Sequence, residues 1–425
     1  MKLKNIGRAA LALAASAATV CGMTSCSLSY TVGYLYITGS TPNGGPTSSG
    51  QIASYRIQNN NGFLRNSSTV GSGGSNPSQV EVNSTGNYLY VLNRGTGTST
   101  APAVSSIALF SIGGVGVPTY QVSFNPQGLN TKNIVIAGNY LYALDEFAPG
   151  GKSYGDVSVF SIDSTTGRLT AVLNNQQRDD KGLPLTYFPV GTNPTWMTVS
   201  GSNAFIAEQG PTGGVFNPQD PPQAVFIYNQ SATTGQLTLT QNTPTPTGAT
   251  QLTYIYASSQ YLYLLDAGPT GSTGRILPYT VSSGGLSAVS GAARANNGQS
   301  QSPVFPSFLT TSTFGSHTFL WVANSGVNTS GGATGNVITA YVVQANGQLF
   351  DANTGGGGVG QTAGTGTRSM VVDPSNQYLY AVNFNDSTIS GKKINTTTGG
   401  IDQLPKPMPT PPGSPTWIAT TGARF

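Results

Sequence analysis

The chain has 425 residues, charged side chains at only 8% of positions and a formal net charge of +4. Three of its 18 basic residues, Lys2, Lys4 and Arg8, precede the first apolar run, and without them 15 basic residues face 14 acidic ones. That balance excludes the basic footprint of a nucleic-acid-binding domain, and two cysteines, Cys21 and Cys26, exclude a disulfide-built scaffold.

The first element is a targeting segment. Its basic start is followed by the apolar run Ala9 to Val20, which is too short to span a membrane and reads as a signal peptide. Met23-Thr24-Ser25-Cys26 then resembles a bacterial lipobox, with residues 1–25 removed and Cys26 lipidated as the first mature residue. Simple cleavage after a small residue, leaving Cys26 as a free thiol, is the alternative. The lipobox reading makes the protein exported and membrane-anchored, in the periplasm or at the cell surface, with residues 26–32 as a short tether.

From residue 33 onward one phrase returns seven times: YLYITG at Tyr34, YLYVLN at Tyr88, YLYALD at Tyr140, AFIAEQ at Ala204, YLYLLD at Tyr261, FLWVAN at Phe319 and YLYAVN at Tyr378. The copies are 52 to 64 residues apart. A long fixed period means one supersecondary unit repeated in series. Without that period, the 56 glycines and the abundant polar residues would suggest disorder. Each unit reads as four strands. Strand a follows a small residue and proline (NPSQVEV at Asn76, NPTWMTV at Asn193, SPTWIAT at Ser414). Strand b is the repeated phrase, strand c reads like GDVSVFSID at Gly155, and a TTG-type turn leads to a short strand d. Alternating apolar and polar positions rich in Val, Ile, Tyr and Thr predict half-buried strands.

Seven four-stranded antiparallel units predict an all-β, seven-bladed propeller forming a single domain over residues 33–425. The first unit lacks strand a, and the C-terminus adds an unmatched one, Pro415 to Thr420. Pairing the two completes the seventh blade, closes the ring and covers both edges.

The a–b and c–d connections are nearly all tight. The long ones are b–c (such as Arg94–Val104 and Glu146–Tyr154) and d–a (such as Leu173–Thr192), which share one face. Function is therefore expected at the channel mouth on that face. Two groups converge there. One is the residue ending strand b: Asn93, Asp145, Gln209, Asp266, Asn324 and Asn383, with Gly39 in the first unit. Local backbone bonding is the leading explanation of such strand-ending Asn and Asp, and Asp145, Glu146, Asp266 and Arg94 stand out from it by their charge. The other is the position two after the strand-a proline, held by Trp196, Trp417 and Phe308, which can stack on a sugar or lactone ring or wedge between blades.

Other signals carry less. Gly151 to Gly155 spells G-x-S-x-G, but in a strand-to-strand loop, and the single histidine, His317, falls in an a–b turn at the opposite end. The glycine-rich stretch Gly355–Gly364 opens no helix, so it reads as no dinucleotide site. No Cys/His spacing suits zinc.

The small-Pro-x-x-V-x-V, YLYVAN-like and V-S-V-F-x-I-D-x-x-T-G-x-L phrases together resemble the seven-bladed propeller lactonase family, which includes the bacterial 6-phosphogluconolactonases, and the surface-layer YVTN repeats. The resemblance spans nearly the whole mature chain. Members carry a stretch similar to P-R-H-x-x-F-x-P-D-G-x-Y-L-Y-V-x-N-E. Thr367 to Phe384, TRSMVVDPSNQYLYAVNF, is its nearest copy; Arg368 matches the arginine, while Ser369 and Phe384 stand at the histidine and glutamate positions. The resemblance implies lactone hydrolysis, with Glu146 or Asp145 as general base and Arg368 as oxyanion stabiliser, Arg94 or Arg275 being reserves. Arg94, Asp266, Trp196, Trp417, Asn324 and Asn383 are the expected ligand-binding residues. A non-catalytic binding or scaffold propeller is the competing reading, and a calcium site at Asp145, Glu146 and Asp266 is a third. The first two need no cofactor or metal. The expected partners are the membrane, through Cys26, and a small lactone or carbohydrate; no nucleic acid is expected, and the chain is expected to be a monomer.

Overall fold

The computed structural model describes residues 30–423 apart from 41–48, 97–100, 211–222, 241–244, 269–273, 283–284, 290–293, 296–304, 326–335, 353–359 and 406–407. The described residues form strands, turns and connections, with no helix among them. They build seven antiparallel blades arranged around a central channel.

Blade 2 shows the plan: Pro77–Val82, Tyr88–Asn93, Ser106–Ile112 and Pro118–Phe124 pair in chain order from the channel outward. The inner strands of blades 3 to 7 are Leu129–Ala137, Pro194–Ser200, Leu252–Ala257, Pro306–Phe314 and Thr367–Val372. Their second strands are Tyr140–Phe147, Asn203–Glu208, Tyr261–Asp266, His317–Asn324 and Tyr378–Asn383. These second strands are almost wholly buried, because each is covered on both faces by neighbouring blades. That is why the phrase is a continuous apolar run rather than an alternating one.

Blade 1 closes the ring as the chain ends predict. Gly413–Gly422 supplies its inner strand and pairs antiparallel with Thr31–Ser40, placing Leu35 opposite Thr420 and Ile37 opposite Ile418. Ser49–Gln58 and Leu64–Ser75 complete the sheet. The inner strand of blade 7 packs on Gly413–Gly422, which packs on that of blade 2, so no inner edge is left open.

The repeated phrase is a staple between blades. In blades 2, 3 and 7 both of its tyrosines reach the c–d turn of the next blade. Tyr90 Oη donates to Gly167 O at 2.7 Å, Tyr142 Oη to Gly235 O at 3.3 Å and Tyr380 Oη to Gly62 O at 2.5 Å; in blade 6, Trp321 Nε1 donates to Gly399 O at 3.0 Å. The first aromatic of the phrase lies against the turn glycine. A Cβ on Gly167 would come 2.5 Å from the Tyr88 ring, and Gly167 has φ +70°, so glycine is required twice over. The YLY phrase and the TTG turn are thus two halves of one contact.

The channel mouth as candidate active site

A bulge at the start of each inner strand builds the mouth. In blades 2 to 7 the pairing slips at one residue: Ser78, Lys132, Thr195, Thr253, Ser307 and Arg368, with an equivalent slip before Trp417 in blade 1. The residue two positions earlier is often left-handed: Asn76, Asn130, Asn193, Phe305, Gly366 and Ser414 have φ between 43° and 70°. A bulge breaks the strict alternation of faces and re-aims a side chain. Both the bulge residue and its successor can therefore reach the channel.

At three of the seven bulge positions a hydroxyl stitches adjacent blades. Thr253 Oγ1 donates to Pro306 O at 2.8 Å, Ser307 Oγ to Thr367 O at 2.7 Å and Thr416 Oγ1 to Pro77 O at 2.7 Å. In blades 3 and 7 the hydroxyl is replaced by a cation, Lys132 or Arg368. Together with Arg94 and Phe384, from the rank just beyond strand b, these residues line a cavity of about 480 Å³.

The cavity has a charged side and an aromatic side. Blades 2, 3 and 7 supply Arg94, Lys132 and Arg368. Trp196, Tyr254, Phe308 and Trp417 form a continuous circuit of ring contacts, with centroids 4.7 to 5.4 Å apart. Trp196 of blade 4 and Trp417 of blade 1 stack on each other at 25°. Their inner strands are separated by two blades one way around the ring and by three the other, so this contact crosses the channel and floors the cavity.

The cations are held differently. The Arg368 guanidinium lies 3.6 Å above the Phe384 ring, which fixes its plane while its N–H edge stays open to the mouth. Arg94 donates from Nη2 to Asn130 Oδ1 at 2.9 Å, and its buried Nε has no partner among the described atoms. Lys132 pairs with Glu146 at 2.9 Å, and Glu146 also accepts from Asn130 Nδ2. Desolvation by the cavity walls lowers the pKa of both arginines; Glu146 opposes this at Arg94, and the like charge of Arg94 adds to it at Arg368.

The ring expected at the ends of the b strands lies beneath the mouth instead. Asn93, Asp145, Asp266, Asn324 and Asn383 are at most 1% exposed. They spend their bonds on loops and neighbouring strands: Asp266 accepts from the backbone N–H of Thr250, Gln251 and Gly268, and Asn383 bonds Thr367, Thr388 and Ser390. In blade 4 the residue of this rank is Glu208, opposite Pro194, and not Gln209. Gln209 belongs one residue further, with Arg94, Glu146 and Phe384, and that rank reaches the mouth. Arg275 is committed to Asp266, with Nε 3.1 Å from Oδ2, far along the ring from the cations. Asp266 in blade 5 likewise shares no cluster with Asp145 in blade 3, which removes the three-carboxylate calcium arrangement. His317 is exposed at an a–b turn, and Ser153 of the G-x-S-x-G stretch lies in a surface loop.

Sequence reading missed Lys132, Tyr254 and Glu81. The first two have a visible signal, the register of the bulge, since Lys132 aligns with Arg368 and Tyr254 with Trp196. Glu81 lies two residues beyond Gln79 on the inner strand of blade 2 and accepts from Gln79 Nε2 at 2.8 Å. Burial pushes its pKa up to about 7, against the opposing pull of the Gln79 hydrogen bond.

Comparisons with known proteins agree with this architecture. Residues 48–182 match the family described as "Lactonase, 7-bladed beta-propeller". No curated protein matches the sequence. A Bacteroides uniformis protein, named provisionally as a 6-phosphogluconolactonase, superposes with a TM-score of 0.66 at 14% identity, covering 92% of this chain and 100% of that one. A similarly named Bacteroides fragilis protein gives 0.64 at 13% identity, with coverage of 92% and 98%. The periplasmic gluconolactonase of Pseudomonas aeruginosa gives 0.63 at 16% identity, with coverage of 92% and 100%. At these identities the superpositions establish fold alone. The chain is a seven-bladed β-propeller that matches the lactonase propeller family over residues 48–182 and shares the fold of the solved propellers named above.

Proposed function

We propose that this propeller hydrolyses a small lactone at the channel mouth. The observation that carries the reading is the convergence of Arg94, Lys132 and Arg368 above a floor of four aromatic rings, with Glu146 beside them. A lactone ring lies against Trp196 and Trp417, and its carbonyl oxygen points to the guanidinium groups of Arg368 and Arg94. Water gives a proton to Glu146 and forms the new bond to the acyl carbon. The negative charge that develops on the carbonyl oxygen is met by the guanidinium groups. The ring C–O bond then breaks, and the proton returns from Glu146 to the departing alkoxide. The product is a hydroxy acid whose carboxylate suits the same cations.

A panel of sugar and acyl-homoserine lactones, with acid release followed at neutral pH, tests this. Turnover above the uncatalysed rate that falls in Arg368→Gln and Glu146→Gln supports it; no turnover across the panel contradicts it. One observation favours the second reading, a binding propeller without catalysis: Glu146 is already engaged by Lys132 and Asn130. Saturable binding of hydroxy acids without turnover of any lactone would select it.

We also propose export and anchoring through Cys26, which lies outside the described residues. The basic start, the apolar run and the Met23–Cys26 stretch support this. A fatty-acid label in the wild type that is absent from Cys26→Ser is the expected result, and an unlabelled wild type contradicts it.

A further inference from the structure

Two carboxylates face each other inside blade 3. Asp145, on the second strand, is the register partner of Asp156, which opens the third strand Asp156–Ile162. Both are 0% exposed. Directly opposed cross-strand side chains sit about 5 Å apart at Cβ, so the two charges cannot avoid each other. Neither described ion pair involves them.

Their surroundings differ. Asp145 accepts three hydrogen bonds: from Gly128 N at 3.1 Å, Ser158 Oγ at 3.0 Å and Thr131 Oγ1 at 2.5 Å. Neither Asp156 carboxylate oxygen has a hydrogen bond of good geometry among the described atoms; the Ser158 hydroxyl, which donates to Asp145, is the one group that also pulls on it. Gly128 packs closely against the pair: a Cβ there would come 2.2 Å from Asp156 Oδ1, 2.6 Å from Asp145 Cβ and 2.6 Å from Phe147 O. Two carboxylates, the Phe147 carbonyl and the Ser158 hydroxyl therefore lie close together in a buried place, beside the Gly128 N–H.

We propose that the Asp145–Asp156 pair is a binding site for a divalent, oxygen-preferring cation, namely calcium. A buried charge without a counter-charge is very costly, and the two ways to remove it differ in what they leave behind. One shared proton leaves a net negative charge and an Asp156 oxygen unbonded. A divalent ion neutralises both carboxylates and occupies both oxygens. Carboxylate, carbonyl and hydroxyl oxygens are the ligands calcium takes, and it tolerates irregular arrangements. Burial, reinforced at Asp156 by the charge of Asp145, raises both pKa values, as expected where a counter-charge is missing. The site also supports the mouth, since Thr131 precedes Lys132 and Asp145 precedes Glu146.

The test uses the full-length protein after chelator treatment. Calcium titration is followed by calorimetry and by Tm, for the wild type, Asp156→Asn and a control, Asp163→Asn, in an exposed turn. The expected result is one calcium bound per chain and a Tm that rises with calcium concentration in the wild type and the control. Asp156→Asn keeps the shape, removes the charge and is expected to fold at least as stably as metal-free wild type, with no calcium response. Either of two results would overturn the proposal: a wild type with no heat and no Tm response, or a calcium response that survives in Asp156→Asn. The first, with Asp156→Asn melting above the wild type at pH 8 whatever the calcium concentration, would mean that protons hold the pair.

Discussion

Arg368→Gln separates the chemistry of the mouth from the stability of the fold. Arg368 keeps exposed surface at the mouth although the cavity walls partly desolvate its guanidinium, and its described contact is the stack on Phe384. An exposed cation–π contact contributes about 0.5–1 kcal/mol, so the variant is expected to unfold in urea within about 1 kcal/mol of the wild type. Its effect on an anionic ligand is larger. A hydrogen bond to a charged group contributes about 1.5–3 kcal/mol, and about 1.4 kcal/mol is tenfold in affinity. With D-gluconate as the probe, calorimetry should show Kd rising about 10- to 100-fold, with less dependence on salt than in the wild type. Arg275→Gln is the contrast. It leaves the buried Asp266 carboxylate without its guanidinium, so it should lower stability and leave gluconate affinity unchanged. The reasoning fails if Arg368→Gln binds gluconate within about twofold of the wild type while Arg275→Gln weakens binding.

Other expectations follow from the same structure. Tyr90→Phe removes the buried bond to Gly167 O and should cost about 0.5–1.5 kcal/mol in urea unfolding, with no loss of gluconate binding. Gly167→Ala forces a Cβ into the Tyr88 ring at a left-handed φ, so it should destabilise more than Tyr90→Phe in the same assay. Removal of residues 413–425 takes away the strand that closes blade 1, and size-exclusion chromatography should show aggregation in place of a folded monomer. Glu81 is pushed up to about 7 by burial, so between the ordinary carboxylate pKa and 7 the unfolded chain releases a proton that the folded chain keeps. Wild-type stability should therefore fall as pH rises through that window, by at most about 3 kcal/mol, and then level off. Glu81→Gln should lack this component: its gain over the wild type in thermal melts should be present at pH 8 and absent at pH 4.

The fold was legible because its signals are local and repeated. YLYVLN marks a strand buried on both faces, the TTG turn marks the tight c–d connection, and Pro415 to Thr420 has no partner except the incomplete first unit. The mouth was legible only in part. The marker of the inner strand in the sequence is the proline before the bulge, Pro77, Pro194 and Pro306; blade 3 has Thr131 there, so no proline marks Lys132, although it holds the position of Arg368. The polar ring was placed one residue too early: Asn and Asp end strand b because loop N–H groups need acceptors inside the blade, and the residue after them reaches the mouth. In blade 4, where the phrase is weakest, the register was off by one, and Gln209 was read in place of Glu208. The Asp145–Asp156 pairing depends on cross-strand register, which a single sequence does not display.

A crystal structure of the protein soaked with D-gluconate tests the proposed mouth most directly. The expected result is a carboxylate between Arg94 and Arg368, with the carbon chain over Trp196 and Trp417. An empty mouth with the acid bound elsewhere at saturating concentration would contradict it.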